Sequence, residues 1–325
     1  MIQNKQFGCI AKLLEMSNVG GEIDTGAPRE VEGYGWETSG SQKRKLRDQI
    51  EDHRTPLAQA LFAQLGIDKD ELEKRFNIAE SRHRNWHDIS ELESRNRYLE
   101  MIANEPAEAQ ERFWDNRTFG RTSLSKDEKD GKKNDKKDDK KNNNGDNSVR
   151  GVVRGCVQFQ PSKTILPITT ILDGLSKKAP LRKELLSPDN PTGDLGPGAI
   201  KLVNHAVYFT WYIIDANQSF HTKADDRDID LLKMLIRGMH SHDASASRTG
   251  THIVMAFHAT HASVVPSFNE FDFIRACTPK AKGDPTVPSQ SFDEYIIPTM
   301  DEIRAAMSNQ DIEIEDLIAN GNGKS

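Results

Sequence analysis

A highly charged run near the middle of the chain constrains the fold more than any other feature of the sequence. Residues 125–148 contain eight lysines, seven acidic residues and no apolar side chain. Such a run cannot bury enough apolar surface to offset the entropy lost on ordering, so we predict that it is disordered. Its charges nearly cancel, which makes it a poor specific clamp for RNA. We interpret it as an insertion that a surface loop tolerates.

The stretches on either side of this run are rich in arginine and glycine. Residues 116–121 contain a Phe-Gly turn, and residues 149–159 alternate as a β-strand does. Glycine leaves the backbone uncovered, so a bulky polymer can approach it, and the planar guanidinium group of arginine fits phosphate. The alternative is that these arginines only solvate the edge of a sheet. The arginines are Arg117, Arg121, Arg150 and Arg154, and the glycines are Gly120, Gly151 and Gly155.

The composition allows a folded core but gives no simple electrostatic signature. The 325 residues allow one large or two ordinary domains, and 35% of them are hydrophobic while 29% are charged. The formal net charge of -6 argues against a simple basic nucleic-acid-binding protein. Because local clusters of charge matter more than their sum, a subunit that binds nucleic acid within an assembly is still compatible with this value.

Neither the cysteines nor the apolar stretches indicate a secreted or membrane-bound protein. Cys9, Cys156 and Cys277 are far apart and form no Cys-x-x-Cys pair, so we predict buried, reduced thiols in strand-like segments. The longest apolar stretch, residues 206–214, is far too short to cross a membrane, and the first residues do not read as a secretory signal. We therefore predict a cytoplasmic protein that does not bind a membrane.

Hydrophobic periodicity predicts an α+β fold in which helices pack on a mainly antiparallel sheet. Residues 56–110 read as a mostly helical insertion, with a basic, aromatic patch at residues 82–87. Residues 176–198 are too many for a tight turn and predict a protruding arm. Strands are predicted at residues 6–16, 152–159, 205–214, 251–258 and 271–276, and helices at residues 225–239 and 298–307.

A short basic helix is predicted near residue 40. Ser39 or Ser41 is a plausible N-cap for it. Lys43, Arg44 and Arg47 lie within about one helical turn of each other, so they can form one basic face. Such a face suits a phosphate backbone, and the alternative is an ordinary solvated amphipathic helix.

Two groups of side chains raise the question of catalysis, and neither is sufficient to predict it. His240 and His242 are two residues apart, so they do not share a helical face. The adjacent His242 and Asp243 keep open a metal-dependent phosphohydrolase, although the sequence does not identify the further ligands that it needs. Glu22 and Asp24 lie in a glycine-rich loop. One interpretation is that one of these carboxylates assists RNA cleavage, and the alternative is that the residues only form a turn.

Several of these stretches, taken in order, resemble one protein family. The chain resembles the backbone subunit of type I CRISPR Cascade complexes, which is the Cas-seven family of the RAMP superfamily, and it is most like the type I-C branch. It departs from that family in its first loop, which lacks the usual Asn-Pro-Asn-Gly-Asp-rich run, and in the insertion at residues 125–148. The stretches that carry the resemblance are the first strand with residues 18–26 after it, Ser41-Gln42-Lys43-Arg44-Lys45-Leu46-Arg47, Arg117-Thr118-Phe119-Gly120, and residues 149–159, 205–208 and 242–248.

The resemblance implies a fold with three parts. These are an RRM-like (ferredoxin-like) palm with an antiparallel sheet, a helical finger insertion and a protruding hairpin thumb. The implied boundaries are residues 1–53, 111–166 and 204–325 for the palm, residues 54–110 for the finger, residues 125–148 for the disordered charged loop and residues 167–203 for the thumb.

The resemblance also implies a function. Copies of the chain would line up along the CRISPR guide RNA (crRNA), bind its phosphate backbone and present it for pairing with a target strand, together with other Cascade subunits, in antiviral defence. It implies no catalytic residue, metal or cofactor. Related type III backbone subunits cut target RNA with an acidic loop residue, so a ribonuclease that uses Asp24 is the alternative. The predicted RNA contacts are Ser41, Gln42, Lys43, Arg44, Lys45, Arg47, Arg117, Phe119, Gly120, Arg121, Arg150, Arg154, Lys163 and Ile171.

Deletion of residues 125–148 tests the interpretation of the charged run. We expect the shortened chain to keep its thermal midpoint nearly unchanged, because loop closure costs only about 0.6 kcal/mol more for each doubling of loop length. The measurement is thermal unfolding of the shortened and full-length chains, followed by circular dichroism. A large fall in the midpoint would show that the run takes part in the folded structure.

Overall fold

The computed structural model describes residues 1–22, 26–79, 106–122, 152–175, 198–241 and 248–319. Several sequence predictions concern residues outside these ranges and stay predictions. They are the disordered run at residues 125–148, the basic patch at residues 82–87, the outer part of the arm at residues 176–197, and the roles considered for Asp24, Arg150, Gly151, His242 and Asp243.

The described residues form a mixture of helices and strands, as predicted. The strands are β1 (Gln6–Ser17), β2 (Glu30–Val31), β3 (Tyr34–Glu37), β4 (Gly120–Thr122), β5 (Val152–Arg154), β6 (Val157–Phe159), β7 (Ser162–Thr164), β8 (Thr170–Leu175), β9 (Gly198–Ile214), β10 (Thr251–His261), β11 (Lys280–Ala281), β12 (Tyr295–Ile296) and β13 (Ile312–Asp316). The helices are α1 (Ser39–Asp48), α2 (Pro56–Gln64), α3 (Lys69–Arg75), α4 (Pro106–Arg112), α5 (Trp114–Phe119), α6 (Ala216–Thr222), α7 (Asp226–Arg237), α8 (Glu270–Cys277) and α9 (Met300–Ala306).

The chain divides into two compact units, each built from several segments. The first unit comprises Met1–Gln3, Ile50–Gln158 and Ile214–Leu232, and the second comprises Asn4–Gln49, Phe159–Ile213 and Lys233–Ser325. The finer division into palm, finger and thumb stays a prediction.

A large sheet forms the centre of the second unit. Its strands lie in the order β13-β10-β1-β9-β7-β3-β2. Strand β10 runs antiparallel to both β1 and β13, and β7 runs antiparallel to both β3 and β9. Strand β8 also pairs antiparallel with β9, from Thr170 opposite Val203 to Leu175 opposite Gly198. These pairings confirm the predicted antiparallel sheet.

One face of this sheet is apolar and is covered by two helices. Alternate side chains of β1, among them Phe7 and Cys9, point to this face. They form a buried cluster with Phe257 of β10, Phe273 of α8 and Ile303 of α9. Burial of this cluster removes a large apolar area from water, which makes it the main hydrophobic core of the unit.

The opposite face of the sheet contains a buried ion pair. Lys12 of β1 points to this face, and its ammonium group pairs with the carboxylate of Glu37, both side chains being fully buried. Glu37 ends β3, and helix α1 begins two residues later. At the other end of α1, the Gln49 side chain donates a hydrogen bond to the Leu235 carbonyl oxygen at 2.8 Å. Both ends of α1 are therefore fixed by buried polar contacts.

One predicted strand, at residues 271–276, is wrong because this segment is helix α8. The Asn269 side chain accepts a hydrogen bond from the Phe271 backbone N at 3.0 Å, which caps the helix at its start. Phe273 and Cys277, four residues apart, are both buried in the core. The apolar residues of this segment fit one helical face as well as an alternating strand, and the cap favours the helix.

In the first unit, β4 and β5 form a short antiparallel ribbon around two glycines. Gly120 has a φ of +83°, a left-handed value that favours glycine, and a Cβ there would lie 2.1 Å from the Val153 carbonyl oxygen. A Cβ on Gly155 would lie 2.2 Å from the Phe119 carbonyl carbon. The prediction that these two glycines leave the backbone uncovered for a polymer is therefore wrong, because backbone already packs against backbone there.

The structure also bears on the predictions made for the cysteines and for membrane-spanning segments. All three cysteines are free and buried, as predicted. Only Cys9 lies in a strand, since Cys156 falls between β5 and β6 and Cys277 ends α8. Across the described ranges, every helix is too short or too polar to cross a lipid bilayer.

Candidate nucleic-acid interface

Helix α1 contains six of the fourteen predicted RNA contacts, and its first turn is open. Thr38, rather than Ser39 or Ser41, is the N-cap, because its Oγ1 accepts a hydrogen bond from the Ser41 backbone N at 3.1 Å. The first turn contains no acidic side chain, and a Cβ placed on Gly40 would have only the Thr38 hydroxyl near it, at 3.9 Å. The first N–H groups and the positive end of the helix dipole therefore favour an anion here.

The glycine-rich loop after β1 holds this turn in place. Ser41 Oγ donates a hydrogen bond to the Val19 carbonyl oxygen at 3.2 Å, and a Cβ on Gly20 would lie 3.1 Å from Ser41 Oγ. Asn18 Oδ1 accepts a hydrogen bond from the Gly20 backbone N at 2.9 Å. The Cβ placed on Gly20 would also lie 3.9 Å from Nη1 of Arg29. A guanidinium group therefore lies beside Gly20, the residue that packs on Ser41.

The same loop connects the start of α1 to the base of the β8–β9 pair. Asn18 Nδ2 donates a hydrogen bond to the Lys201 carbonyl oxygen of β9 at 3.1 Å. The next residue of β9, Leu202, lies opposite Ile171 of β8. The structure therefore brings the predicted contact Ile171 near the predicted contacts at the start of α1, with the loop between them.

Most of the basic side chains of α1 point inward. Arg44, Lys45 and Arg47 are only 7%, 5% and 4% exposed, and Arg44 forms an ion pair with Asp48. Lys43 is half-buried and so keeps part of its side chain at the surface. The predicted basic face therefore presents Lys43 to solvent, with three further positive charges beneath the surface.

Gln42, another predicted contact, holds α1 against the sheet. Its side chain is buried, and its Nε2 donates a hydrogen bond to the Gln160 carbonyl oxygen at 2.9 Å. Thr210 Oγ1 donates to the same carbonyl at 2.7 Å. Gln42 therefore positions the helix and is not a surface group.

Lys163, a further predicted contact, points to the other face of the sheet. It lies opposite Trp36 in the β3–β7 pair, so its side chain projects away from the face that holds Glu37. Its Nζ is 4.5 Å from the centre of the Tyr34 ring, which is a cation–π contact. The structure does not bring Lys163 together with the contacts at the start of α1.

Arg117 lies in the first unit, where it is fully buried and paired with Asp228. Its Nε and Nη2 donate to the two carboxylate oxygens at 2.9 and 2.6 Å, and its Nη1 donates to the Glu111 carbonyl oxygen. Trp114 Nε1 donates to the Asp228 carbonyl oxygen at 3.1 Å, and the Phe76 ring lies 5.6 Å from the guanidinium carbon. All three nitrogens of the guanidinium are engaged, so Arg117 has a structural role and is closed to phosphate in this arrangement.

The other predicted contacts of the first unit do not form one patch with Arg117. Gly120 lies opposite Arg154 in the β4–β5 pair, and Arg121 lies opposite Val153, so the two arginine side chains project to opposite faces of the ribbon. Arg154 is exposed, whereas Phe119 is buried. Within the described ranges, the arginines that flank the charged run are therefore separated from one another.

The described residues do not assemble a cluster of metal ligands. No three His, Cys, Asp or Glu side chains among them are placed to hold a metal ion. His258 uses both ring nitrogens, since its Nδ1 is 2.8 Å from the Tyr212 hydroxyl and its Nε2 is 2.9 Å from Gln6 Oε1. Burial, with the nearby charge of Lys233, lowers the pKa of His258 to about 3, so its ring is neutral near pH 7. Glu22 is exposed at the edge of the described loop.

Comparison with known protein families identifies the group to which the chain belongs. The family model described as CRISPR-associated protein Cas7 matches residues 4–300. The chain belongs to this family. Membership in the Cas7 family confirms the prediction of a Cascade backbone subunit, and it does not favour the alternative ribonuclease.

Two solved structures are similar to this Cas7 family member at low sequence identity. One is a chain of a "CRISPR RNA-guided surveillance complex, pre-nicking", with a TM-score of 0.49 and 14% identity, covering 95% of this chain and 90% of that chain. The other is a chain of a "CRISPR RNA-guided surveillance complex", with a TM-score of 0.41 and 13% identity, covering 95% of this chain and 86% of that chain. The search of curated proteins gave no match. The assignment to the family therefore depends on the family model.

Sequence reasoning missed several residues that build this interface. Thr38 was overlooked as the cap, although threonine is a common N-cap and precedes the predicted helix by one residue. Asn18 stands two residues before Gly20, a spacing typical of a side-chain turn, and this could have marked it as the residue that orders the loop. No local pattern indicates Arg29, because only the folded loop brings it beside Ser41.

The burial of Arg117 leads to a direct test of its role. We expect Arg117→Ala to lower the free energy of unfolding by about 3–5 kcal/mol, because removal of one partner leaves the Asp228 carboxylate buried and uncompensated. Urea unfolding measures the change. The exposed Arg154 offers a matched control, and Arg154→Ala should change the free energy of unfolding by no more than about 0.5 kcal/mol. If Arg117→Ala folds with unchanged stability and only binds RNA more weakly, the structural role is wrong.

Proposed function

We propose that this Cas7 family member is a non-catalytic subunit that binds the sugar–phosphate backbone of crRNA at the start of helix α1. The observation that carries the proposal is the open first turn of α1, which has no acidic side chain. Lys43 lies one turn further along, and the guanidinium group of Arg29 lies beside Gly20 in the loop that packs on this turn. Single-stranded RNA presents one negative phosphate for each nucleotide. A strand that passes this turn would place a phosphate against backbone N–H groups and positive charge.

The first turn of α1 supplies two kinds of attraction to a phosphate. Thr38 takes the N–H group of Ser41, which leaves the N–H groups of Ser39 and Gly40 at the helix end as donors. The helix dipole adds partial positive charge at the same place. Lys43, one turn further along, would complete the site as a flexible cation.

The buried basic residues of α1 would contribute to RNA binding through their position and the electrostatic field that they create. Arg44, Lys45 and Arg47 lie beneath the surface that Lys43 occupies. Charges in such a medium are less screened than charges in water. Asp48 offsets only one of the four basic residues of α1, so the net charge of the helix raises the positive potential over the first turn. We propose that these three side chains favour RNA in this way and reach a phosphate directly only if the surface around them rearranges.

Binding of this kind would be independent of RNA sequence. Backbone N–H groups and cations contact phosphate and carry no information about base identity. A subunit that presents a guide needs this property, because the guide itself reads the target by base pairing. Lys163, Arg121 and Arg154, which keep part or all of their side chains at the surface, and Arg150 are proposed as secondary contacts along the strand.

We propose that copies of the chain assemble along the guide through the region around the β8–β9 pair. These strands pair antiparallel from Thr170 to Leu175, which supports a hairpin thumb at residues 167–203 that reaches a neighbouring copy. The proposed partners are crRNA, the target strand, further copies and other Cascade subunits. An RRM-like palm, a finger at residues 54–110, a type I-C subtype and a cytoplasmic location belong to the same proposal.

Substitution of Gly40 tests the interface without loss of a folded contact. We expect Gly40→Glu to weaken RNA binding by about tenfold or more, because it places a negative charge where the phosphate would lie. The same substitution should not lower stability, since an acidic residue in the first turn favours the helix dipole. Binding to single-stranded RNAs of unrelated sequence is measured by fluorescence anisotropy over a series of salt concentrations.

The matched control is Gly40→Ala, which adds a side chain at the same exposed position without charge. We expect it to bind RNA nearly as the unchanged chain does, because a Cβ at Gly40 meets open space. Lys43→Ala should weaken binding to every sequence and reduce the salt slope by about 1. Equal binding by Gly40→Glu and Gly40→Ala would refute the proposed site.

A further inference from the structure

A second basic feature of the second unit lies outside the first turn of α1. A pocket of about 360 Å³ opens where α7 ends and β10 begins. Four of its lining residues are Arg237, His240, Arg248 and His252, and three others carry hydroxyl groups. Among the described residues that line it there is no carboxylate. Its volume is in the range of pockets that bind small ligands.

At the pocket wall one of these side chains is held by a hydrogen bond and another is buried. Arg237 Nε donates a hydrogen bond to the Leu317 carbonyl oxygen at 2.7 Å, which orients the guanidinium group. His240 is only 7% exposed, and its Nε2 has no hydrogen-bond partner among the described residues. Buried polar atoms without partners are uncommon in folded proteins, so this nitrogen is available to a polar ligand in the pocket.

The charges around His240 indicate the sign of that ligand. Burial, followed by the charges of Lys12, Lys45, Arg248 and His252, holds the pKa of His240 well below its usual value. The ring is therefore neutral near pH 7, and one of its nitrogens carries a hydrogen that it can donate. The charges that disfavour a proton on this ring favour an anion beside it. Glu37 offsets the charge of Lys12, whereas Arg248 lines the pocket and Lys45 lies on α1.

We propose that this pocket binds a phosphate group, supplied either as free phosphate or as a phosphodiester of a bound RNA strand. Arginine presents paired N–H donors that match two phosphate oxygens, and the hydroxyl groups supply further donors. The neutral imidazole of His240 donates to a third oxygen. This site is distinct from the first turn of α1, since it is formed by the end of α7 and the start of β10.

Thermal unfolding in phosphate tests the proposal with the full chain. Phosphate is added at constant ionic strength, balanced with chloride, and the thermal midpoint is measured by circular dichroism. We expect the midpoint to rise and to saturate in the unchanged chain. In Arg248→Gln the same rise should need about tenfold more phosphate, because the variant loses a charge-assisted hydrogen bond. His252→Gln, which changes the shape and the donor of the pocket wall, should also need more phosphate. Lys280→Gln, which changes an exposed lysine on β11, should behave as the unchanged chain does.

A parallel measurement with single-stranded RNA separates the two sources of phosphate. If free phosphate gives no effect but both pocket variants bind RNA more weakly, with a salt slope smaller by about 1, the ligand is a phosphodiester of the strand. If phosphate stabilises the unchanged chain and the variants bind RNA normally, the ligand is free phosphate. If neither measurement distinguishes the pocket variants from Lys280→Gln, the proposal is overturned.

Two further variants keep the outcome interpretable. Arg248→Lys retains the charge and loses the paired N–H groups, so it replaces Arg248→Gln if that variant unfolds, and a smaller loss is expected. Gly40→Glu tests the first turn of α1 separately. If the pocket variants bind RNA normally and Gly40→Glu binds it weakly, only the phosphodiester form of the pocket proposal is overturned. If the pocket variants bind RNA weakly and Gly40→Glu binds it normally, only the proposed interface at the first turn of α1 is overturned.

Discussion

The buried pair between Lys12 and Glu37 underlies the arrangement of the second unit. The two side chains are fully buried and join β1 to the strand that leads into α1. Loss of either partner would leave an uncompensated charge in the interior, which is strongly destabilising. The pair therefore fixes where α1 begins, and Thr38 caps the helix one residue after Glu37. Together with the hydrogen bonds of Ser41 and Gln42, this contact sets the position of the open first turn.

The second unit holds its main apolar cluster on one face of the sheet, and a buried ion pair beside a smaller apolar cluster that includes Leu14 on the other. The face beneath α8 and α9 holds the apolar cluster, while the face that holds the Lys12–Glu37 pair also holds the buried nitrogens of His258. Positive charge is concentrated in α1 although the whole chain has a formal net charge of -6. Local concentration of this kind explains how a chain with an acidic total can bind a polyanion. It also explains why such binding would follow phosphate spacing and not base identity.

The sequence predicts those features that depend on local periodicity and misses those that depend on distant partners. Alternation along residues 6–16 and 251–258 gave β1 and β10 nearly to their ends. The same reasoning failed for α8, because short apolar patterns fit both a strand and a helical face. Helical spacing predicted one basic face from Lys43, Arg44 and Arg47, but Arg44 and Arg47 are buried. Spacing alone does not tell which side of a helix the rest of the unit covers. Arg117 and its partner Asp228 are 111 residues apart, so no local pattern indicates that this arginine is buried.

The most direct test of the central claim is the position of RNA phosphates relative to the first turn of α1 in a structure of the RNA-bound protein. The quantity to measure is the distance from the Gly40 backbone N to the nearest phosphate oxygen. We expect a hydrogen-bonding distance of about 3 Å, with the RNA strand passing the loop at Gly20 toward the base of the β8–β9 pair. An RNA strand that crosses the protein elsewhere, with no phosphate oxygen within about 6 Å of the Gly40 backbone N, would contradict the proposed interface.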